Sequence, residues 1–469
     1  MFDLDTLNGL FGEAVTVADG RVTVNRPDAI AGPPMDQLVR AAVFAEGVER
    51  EYARWLIWEI GQAVGVQPAS IHDLYMARGR GEIGGFTVPA INLRVVTYDA
   101  ARSIFRTAKA IDAGAFIVEI ARSEIAYTGQ RPNEYVAVIV AAALREGFRG
   151  PVFIQGDHFQ VNHKKYAVDP HTEVDAVKAL VREAVGAGFY NIDVDTSTLV
   201  DLGKKTHAEQ QKLNYEVGAD ILKEVRAAEP QGVTISVGGE IGEVGTQNST
   251  VEELRAFMDG FLAALPADIA GISKISVQSG TSHGGVVLED GSIADVKLDL
   301  DTLELLSRIA REEYGLAGAV QHGASTLPED AFNNFPKRET AEIHLATNFQ
   351  NMLFDQIPDG LRAEIYAWIR DNAKDERKPT DTDEQFFYKS RKKALGPFKR
   401  QLWEMPAEVM LKVEKLYDAK FRFLFDQLAI GNTREIVARY VKPPVLHRPM
   451  PADATPVHAA APDDADLSD

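Results

Sequence analysis

The stretch PVFIQGDHFQ (151–160) opens as an apolar run and closes on an acid and an imidazole side by side. Pro151 to Ile154 reads as a buried strand, and Gly156 interrupts it before Asp157-His158. As a surface turn the pair is ordinary, because Asp suits turns and His tolerates exposure. As a site, one residue moves protons and the other ligates a metal. The segments on either side decide between the two readings.

Outward from this run the chain keeps a rhythm. Short β-prone runs recur at TVPAIN (87–92), AFIVEIA (115–121), PVFIQGD (151–157), FYNIDVD (189–195), VTISVGGE (233–240), GISKISVQ (271–278), LAGAVQH (316–322) and TAEIHLA (340–346). Amphipathic stretches separate them, such as YDAARSIFRTAKAIDAG (98–114) and HTEVDAVKALVREAVGAG (171–188), each ending on a Gly suited to a helix C-cap. Eight strands alternating with helices predict an α/β fold, a (β/α)8 TIM barrel, against the competing open doubly wound sheet.

The barrel is expected over 86–356, with a mostly helical extension over 1–85, where 35–65 carries helical spacing. A second helical extension is expected over 357–441 and a Pro- and Ala-rich disordered tail over 442–469. An apolar fraction of 45% supports a large core, and a net charge of −19 argues against a general nucleic-acid surface. The chain has no cysteine, so disulfides and thiolate ligands are excluded and a metal must sit on His, Asp or Glu. No run is long and apolar enough for a bilayer, and the N-terminus lacks the pattern of a signal peptide. A cytoplasmic protein with no membrane contact is expected.

In a barrel the active site lies at the C-terminal ends of the strands. Asp157 and His158 end the third strand, Asp193 and Asp195 the fourth, and Glu240 the fifth. His283 follows the sixth and His322 ends the seventh. A single such His is more often a surface residue than a ligand. Jointly, three imidazoles and a carboxylate would converge on one rim, a ligand set for Zn2+ or another divalent ion such as Co2+ or Mn2+. The Gly-rich HGG (283–285) is a tight turn if taken alone. With HGAS (322–325) and the segment after the eighth strand it forms a candidate phosphate cradle.

The ordered set GDH, GGEIGE, SGTSHGG, QHGAS and LAT resembles the class II (metal-dependent) fructose-bisphosphate and tagatose-bisphosphate aldolase superfamily over about residues 86–356. VPAINLRVVTYDAARSIFRTAKA (88–110) is similar to that family's first strand and helix. The resemblance implies metal ligation by His158, Glu240, His283 and His322. It implies proton transfer by Asp157, with Glu243 as the candidate loop base, and substrate contacts from Asn92 and Asp195. Gly284, Gly323, Ser325 and Thr347 fall on phosphate-site positions. The chain departs from the family at His344, where Asn is usual, at Ala121-Arg122, where a Ser or another polar residue is usual, and in the less Gly-rich IGEVGTQNS (241–249).

The implied reaction is cleavage or formation of a C–C bond in a phosphorylated ketose, giving dihydroxyacetone phosphate and an aldehyde through a metal-stabilised enediolate. A homo-oligomer, dimeric or larger, is expected from the extensions. A metal-dependent hydrolase would more often place His-x-His on the first strand, and PAINLRV has none. The rival from another class is a non-catalytic aldolase-like subunit, which is expected to lose ligands.

Overall fold

The computed structural model describes residues 3–242, 247–280 and 298–451, the side chain of Thr326 excepted. Each of the eight expected runs holds a strand: β1 Val88–Asn92, β2 Ile117–Ala121, β3 Gly150–Gln160, β4 Asn191–Asp195, β5 Ser236–Glu240, β6 Lys274–Val277, β7 Ala319–Gln321 and β8 Glu342–Leu345. They pair in the order β3-β2-β1-β8-β7-β6-β5-β4, and β3 pairs again with β4, so the sheet closes. Every barrel pairing is parallel. Closure leaves none of the eight barrel strands as an open end of the ring and brings all eight strand ends to one rim.

Local sequence explains where the helices start and stop. Pro170–Ala187 begins with the Asp169 side chain accepting the Thr172 N–H and a Pro in its first turn; it ends on left-handed Gly188, as expected. Val251–Ala263 starts with a Thr250/Glu253 capping box. The helix after β1 differs from its expectation. Thr97–Ala110 stops before Gly114, and Asp112 takes the left-handed turn at φ 53°. Gly114 instead admits a close neighbour: a Cβ there would lie 2.9 Å from Arg434 Cα.

The N-terminal region holds more than helices. Val15–Ala18 and Arg21–Val24 form an antiparallel hairpin. Its two-residue turn, Asp19-Gly20, has φ of 50° and 70°, as a twisted hairpin needs. The expected helix over 35–65 is two helices, Pro33–Phe44 and Gly47–Val64. A ninth parallel strand, Val66–Ala69, pairs with the first residues of β3.

The C-terminal region packs on the first βα units. Trp403 stacks on Tyr98 with ring centres 6.1 Å apart, and Phe425 on Phe116 at 5.7 Å. The tail expected to be disordered from Lys442 is docked through residue 448. Trp58 Nε1 donates to Leu446 O at 2.6 Å, Trp55 Nε1 to Arg448 O at 3.0 Å, and the Arg448 guanidinium covers the Trp58 ring. Two buried indoles therefore anchor an extended segment whose composition alone suggested none. No helix among the described residues is long and apolar enough to cross a membrane.

Candidate active site

Regular alternation would send Asp157 and His158 to opposite faces of β3. The strand avoids this with a bulge. Its register against β4 shifts between Gly156 and Phe159, and His158 adopts a left-handed φ of 39°. Gly156 makes room for the bulge, since a Cβ there would lie 2.4 Å from the Phe159 ring. A left-handed non-Gly residue costs on the order of 1–3 kcal/mol, and such strain persists where the surroundings impose it. The result is that both Asp157 and His158 meet residues from the barrel interior.

His158 is fixed by its neighbours at the rim. Its Nδ1 lies 3.1 Å from Asp195 Oδ2 and 3.9 Å from Glu240 Oε2. Asp195 is oriented in turn by Gln160 Nε2 at 2.7 Å and by the Ser197 N–H and hydroxyl at 3.0 and 2.7 Å. The His158 and His322 rings are 4.4 Å apart, and Ser276 Oγ meets His322 Nε2 at 3.0 Å. Burial alone would lower the His158 pKa, but Asp157, Asp195 and Glu240 hold it well above the usual imidazole range. Burial raises the Glu240 carboxyl well above its ordinary range, with Asp195 and Asp157 adding to the shift.

The other expected positions sort cleanly. Asn92 Nδ2 donates to Glu124 Oε2 at 2.6 Å and reaches Asp157 Oδ2 at 3.4 Å. Gly323 is left-handed at φ 69°, and Ser325 Oγ accepts the Ala346 N–H at 2.5 Å. Thr347 opens the helix Thr347–Phe354 beside it, so the loops after β7 and β8 meet. Glu243, His283 and Gly284 lie outside the described residues. Arg122, at one of the departures, is buried and tied to Glu173 at 2.6 Å and to the Gln160 carbonyl at 2.6 Å, a bracing role.

Sequence reasoning missed a second layer beneath the rim. Barrel interiors are usually filled by branched aliphatic side chains. Here Glu119, Gln155, Asp193, Lys274, Glu342 and His344 are buried together. Lys274 Nζ lies 2.8 Å from Gln155 Oε1, 2.9 Å from Asp193 Oδ1 and 2.5 Å from Glu342 Oε1. The Tyr75 hydroxyl donates to Glu342 Oε2 from below. Burial would lower the Lys274 pKa, but Asp193 and Glu342 push it up to about 12. A lysine held charged in this way is no free amine for addition to a carbonyl. His344, noted in the sequence only as a departure, packs against His322 with ring centres 4.0 Å apart and planes tilted by 31°, and lies 3.3 Å from Asp157 Oδ1. The signal available was charge inside otherwise apolar strand runs, as in AFIVEIA and TAEIHLA.

Among the described residues, three groups of donor atoms lie close enough to hold a metal ion: Asp157, His158 and His322; His158, Asp195 and Glu240; and Glu119, Asp157, Asp193 and His344. Within each, the ligand atoms lie within 4.8 Å of one another. The first two share His158 and form the rim site. Glu240 Oε1 is buried there and accepts no hydrogen bond among the described residues. An oxygen-and-imidazole set with a vacant buried carboxylate oxygen fits a divalent cation.

The sequence pattern of the family Fructose-bisphosphate aldolase class-II matches residues 80–409, and the chain belongs to this family. The match reaches beyond the barrel into the C-terminal helices. No curated protein matches the chain in sequence. Among solved structures, the fructuronate-tagaturonate epimerase UxaE from Cohnella laeviribosi is 12% identical with a TM-score of 0.52, covering 88% of this chain and 93% of that one. A probable tagatose 6 phosphate kinase from Sinorhizobium meliloti is 18% identical with a TM-score of 0.51, covering 76% and 99%. A fructose-bisphosphate aldolase from Campylobacter jejuni is 17% identical with a TM-score of 0.47, covering 78% and 97%. At these identities the first two likenesses support the fold alone.

Proposed function

We propose that the chain is a metal-dependent class II aldolase acting on a phosphorylated ketose, with dihydroxyacetone phosphate as one product or donor. The observation that carries this reading is the bulge in β3, which turns Asp157 and His158 together toward His322 and Glu240 at the rim. A non-catalytic subunit would have no reason to maintain that strained turn.

In this reading His158, His322 and Glu240 hold a divalent ion, with His283 as a further ligand. The ion supplies positive charge beside the substrate carbonyl, where cleavage leaves an electron pair. Asp157 takes the proton of the hydroxyl on the carbon that becomes the aldehyde, while the C–C bond breaks and its electrons pass to the ketone half as an enediolate. In the synthetic direction Asp157 returns that proton to the aldehyde oxygen. Glu243 acts as the base that moves the proton on the donor carbon. Asn92 keeps Asp157 oriented, and Asp195 braces His158 and contacts a substrate hydroxyl. Gly284, Gly323, Ser325 and the N-terminus of the helix at Thr347 hold the phosphate, so that the reacting carbon is placed before chemistry begins. The segments 1–85 and 357–441 flank the 86–356 catalytic unit and serve assembly of a homo-oligomer.

Proton exchange tests the reading without knowledge of the aldehyde. The metal-loaded protein is incubated with dihydroxyacetone phosphate in heavy water, and loss of the C–H signal is followed by NMR with and without a chelator. Exchange that the chelator abolishes is expected. No exchange with metal bound would refute the proposed donor.

A further inference from the structure

We infer that Glu119, Asp157, Asp193 and His344 form a second divalent-cation site one layer below the rim, with Asp157 also within ligand reach of His158 and His322 at the rim. The inference takes from the proposed function only the rim ion.

Charge is the first argument. Glu119, Asp157, Asp193 and Glu342 are four buried carboxyl groups, and the cations beside them are Lys274 and, if protonated, His344 and the rim's His158, 3.7 Å from Asp157. With all four ionised, the carboxylates outnumber these cations in an enclosed space. Buried charge is tolerated when it is paired or coordinates a metal. A divalent cation restores the balance.

Geometry is the second. The ligand atoms of the four residues lie within 4.8 Å of one another. Glu119 is fully buried, and its Oε1 accepts no hydrogen bond among the described residues, although His344 Nδ1 is 3.0 Å away. His344 Nε2 lies 2.8 Å from Glu342 Oε1, again without the alignment of a hydrogen bond. Close donors and acceptors that do not line up mark a cluster arranged around something other than each other.

Three carboxylates and one imidazole form a harder set than the imidazole-rich rim, so this site suits Mn2+ or Mg2+. Mn2+ is the useful probe, because two ions joined by one carboxylate give an exchange-coupled electron paramagnetic resonance signal.

The test uses the full chain, stripped by chelator, re-equilibrated with Mn2+ and dialysed. Ions per chain are counted by elemental analysis, with the resonance spectrum recorded beside the count. The expected result is two ions with a coupled signal in the parent chain, and one uncoupled ion in both H344N and H322N. E119Q, which keeps side-chain size, should lose the same ion as H344N and covers the case in which H344N does not fold. One ion that H344N and E119Q keep and H322N loses overturns the inference while the rim site stands. One ion that H322N keeps and H344N loses supports the buried site and refutes the rim. A single ion lost by either His variant means one shared centre and overturns the inference, as does an absence of binding.

Discussion

At the rim, His158 meets Asp195, Glu240, Asp157 and the His322 ring, and its side chain keeps 14% exposure. One layer down, Lys274, Asp193, Glu342 and Gln155 compensate one another with almost no exposure. The residue types are similar, but the surroundings differ. Groups at the rim can exchange their partners for a substrate or an ion. Groups in the lower layer cannot turn to water, so losing a partner there strands a charge. Substitution at the rim should therefore cost rate, and substitution below it should cost stability. Asp157 touches both layers and is the sharpest place to test the difference.

The largest effect is expected for D157N. Removing a positioned proton carrier lowers a rate by about 10²–10⁴-fold, and that fall should appear in C–C bond cleavage and formation, while the heavy-water exchange of dihydroxyacetone phosphate, assigned to Glu243, is retained. Stability in urea should hold or rise, because one negative charge leaves a crowded cluster. Undiminished C–C bond turnover would break the assignment of Asp157 to the chemistry. K274M is the counterpart below. It leaves Asp193 and Glu342 without their ammonium, and breaking a buried pair costs about 3–5 kcal/mol. The double variant K274M/E342Q should recover a large part of the loss. A cost under about 1 kcal/mol for K274M would mean that the lower layer is not held by charge compensation.

The same division governs what could be read from the sequence. Strand ends were legible because apolar runs stop where polar residues begin, so Asp157, His158, Asp195, Glu240 and His322 stood out as a rim. All eight strands were legible for the same reason. Glu119, Lys274 and Glu342 were hidden because one charge inside a β-prone run does not disrupt its pattern. Only closure of the barrel reveals that they point at one another from three different strands. The bulge was equally hidden. Asp157-His158 reads as an ordinary strand end, and nothing local shows that Phe159 folds across Gly156. The docked tail escaped because its anchors, Trp55 and Trp58, lie nearly four hundred residues away in sequence.

The lower layer also predicts how the ion-stripped protein responds to pH. Glu119 has a folded pKa of about 7 against an ordinary carboxyl value of 4.5. The fold therefore favours the protonated acid. Its contribution to stability is complete below about pH 4.5 and is lost as pH rises toward 7. A shift of that size corresponds to about 3 kcal/mol. Urea midpoints of the stripped chain should fall over that window by more than those of E119Q. Equal slopes would show that Glu119 keeps its charge in the fold and would weaken the contrast between layers.

The smallest effect sharpens the comparison from the rim side. Ser276 lies on β6 two residues beyond Lys274, so one strand serves both layers. Its hydroxyl meets His322 Nε2 at 3.0 Å, and both residues are buried. Lost hydrogen bonds of this kind cost about 1 kcal/mol, whereas partners that orient a metal ligand change affinity by about 10–100-fold. If Ser276 sets the ring for an ion, S276A should weaken Mn2+ binding at least tenfold while moving the urea stability of the stripped chain by only about 1 kcal/mol. Unchanged affinity would assign the orientation of His322 to its ring contact with His344, 4.0 Å away. In that case the lower layer would fix the rim through an imidazole pair, and S276A/H344N should lose the affinity that S276A alone retains.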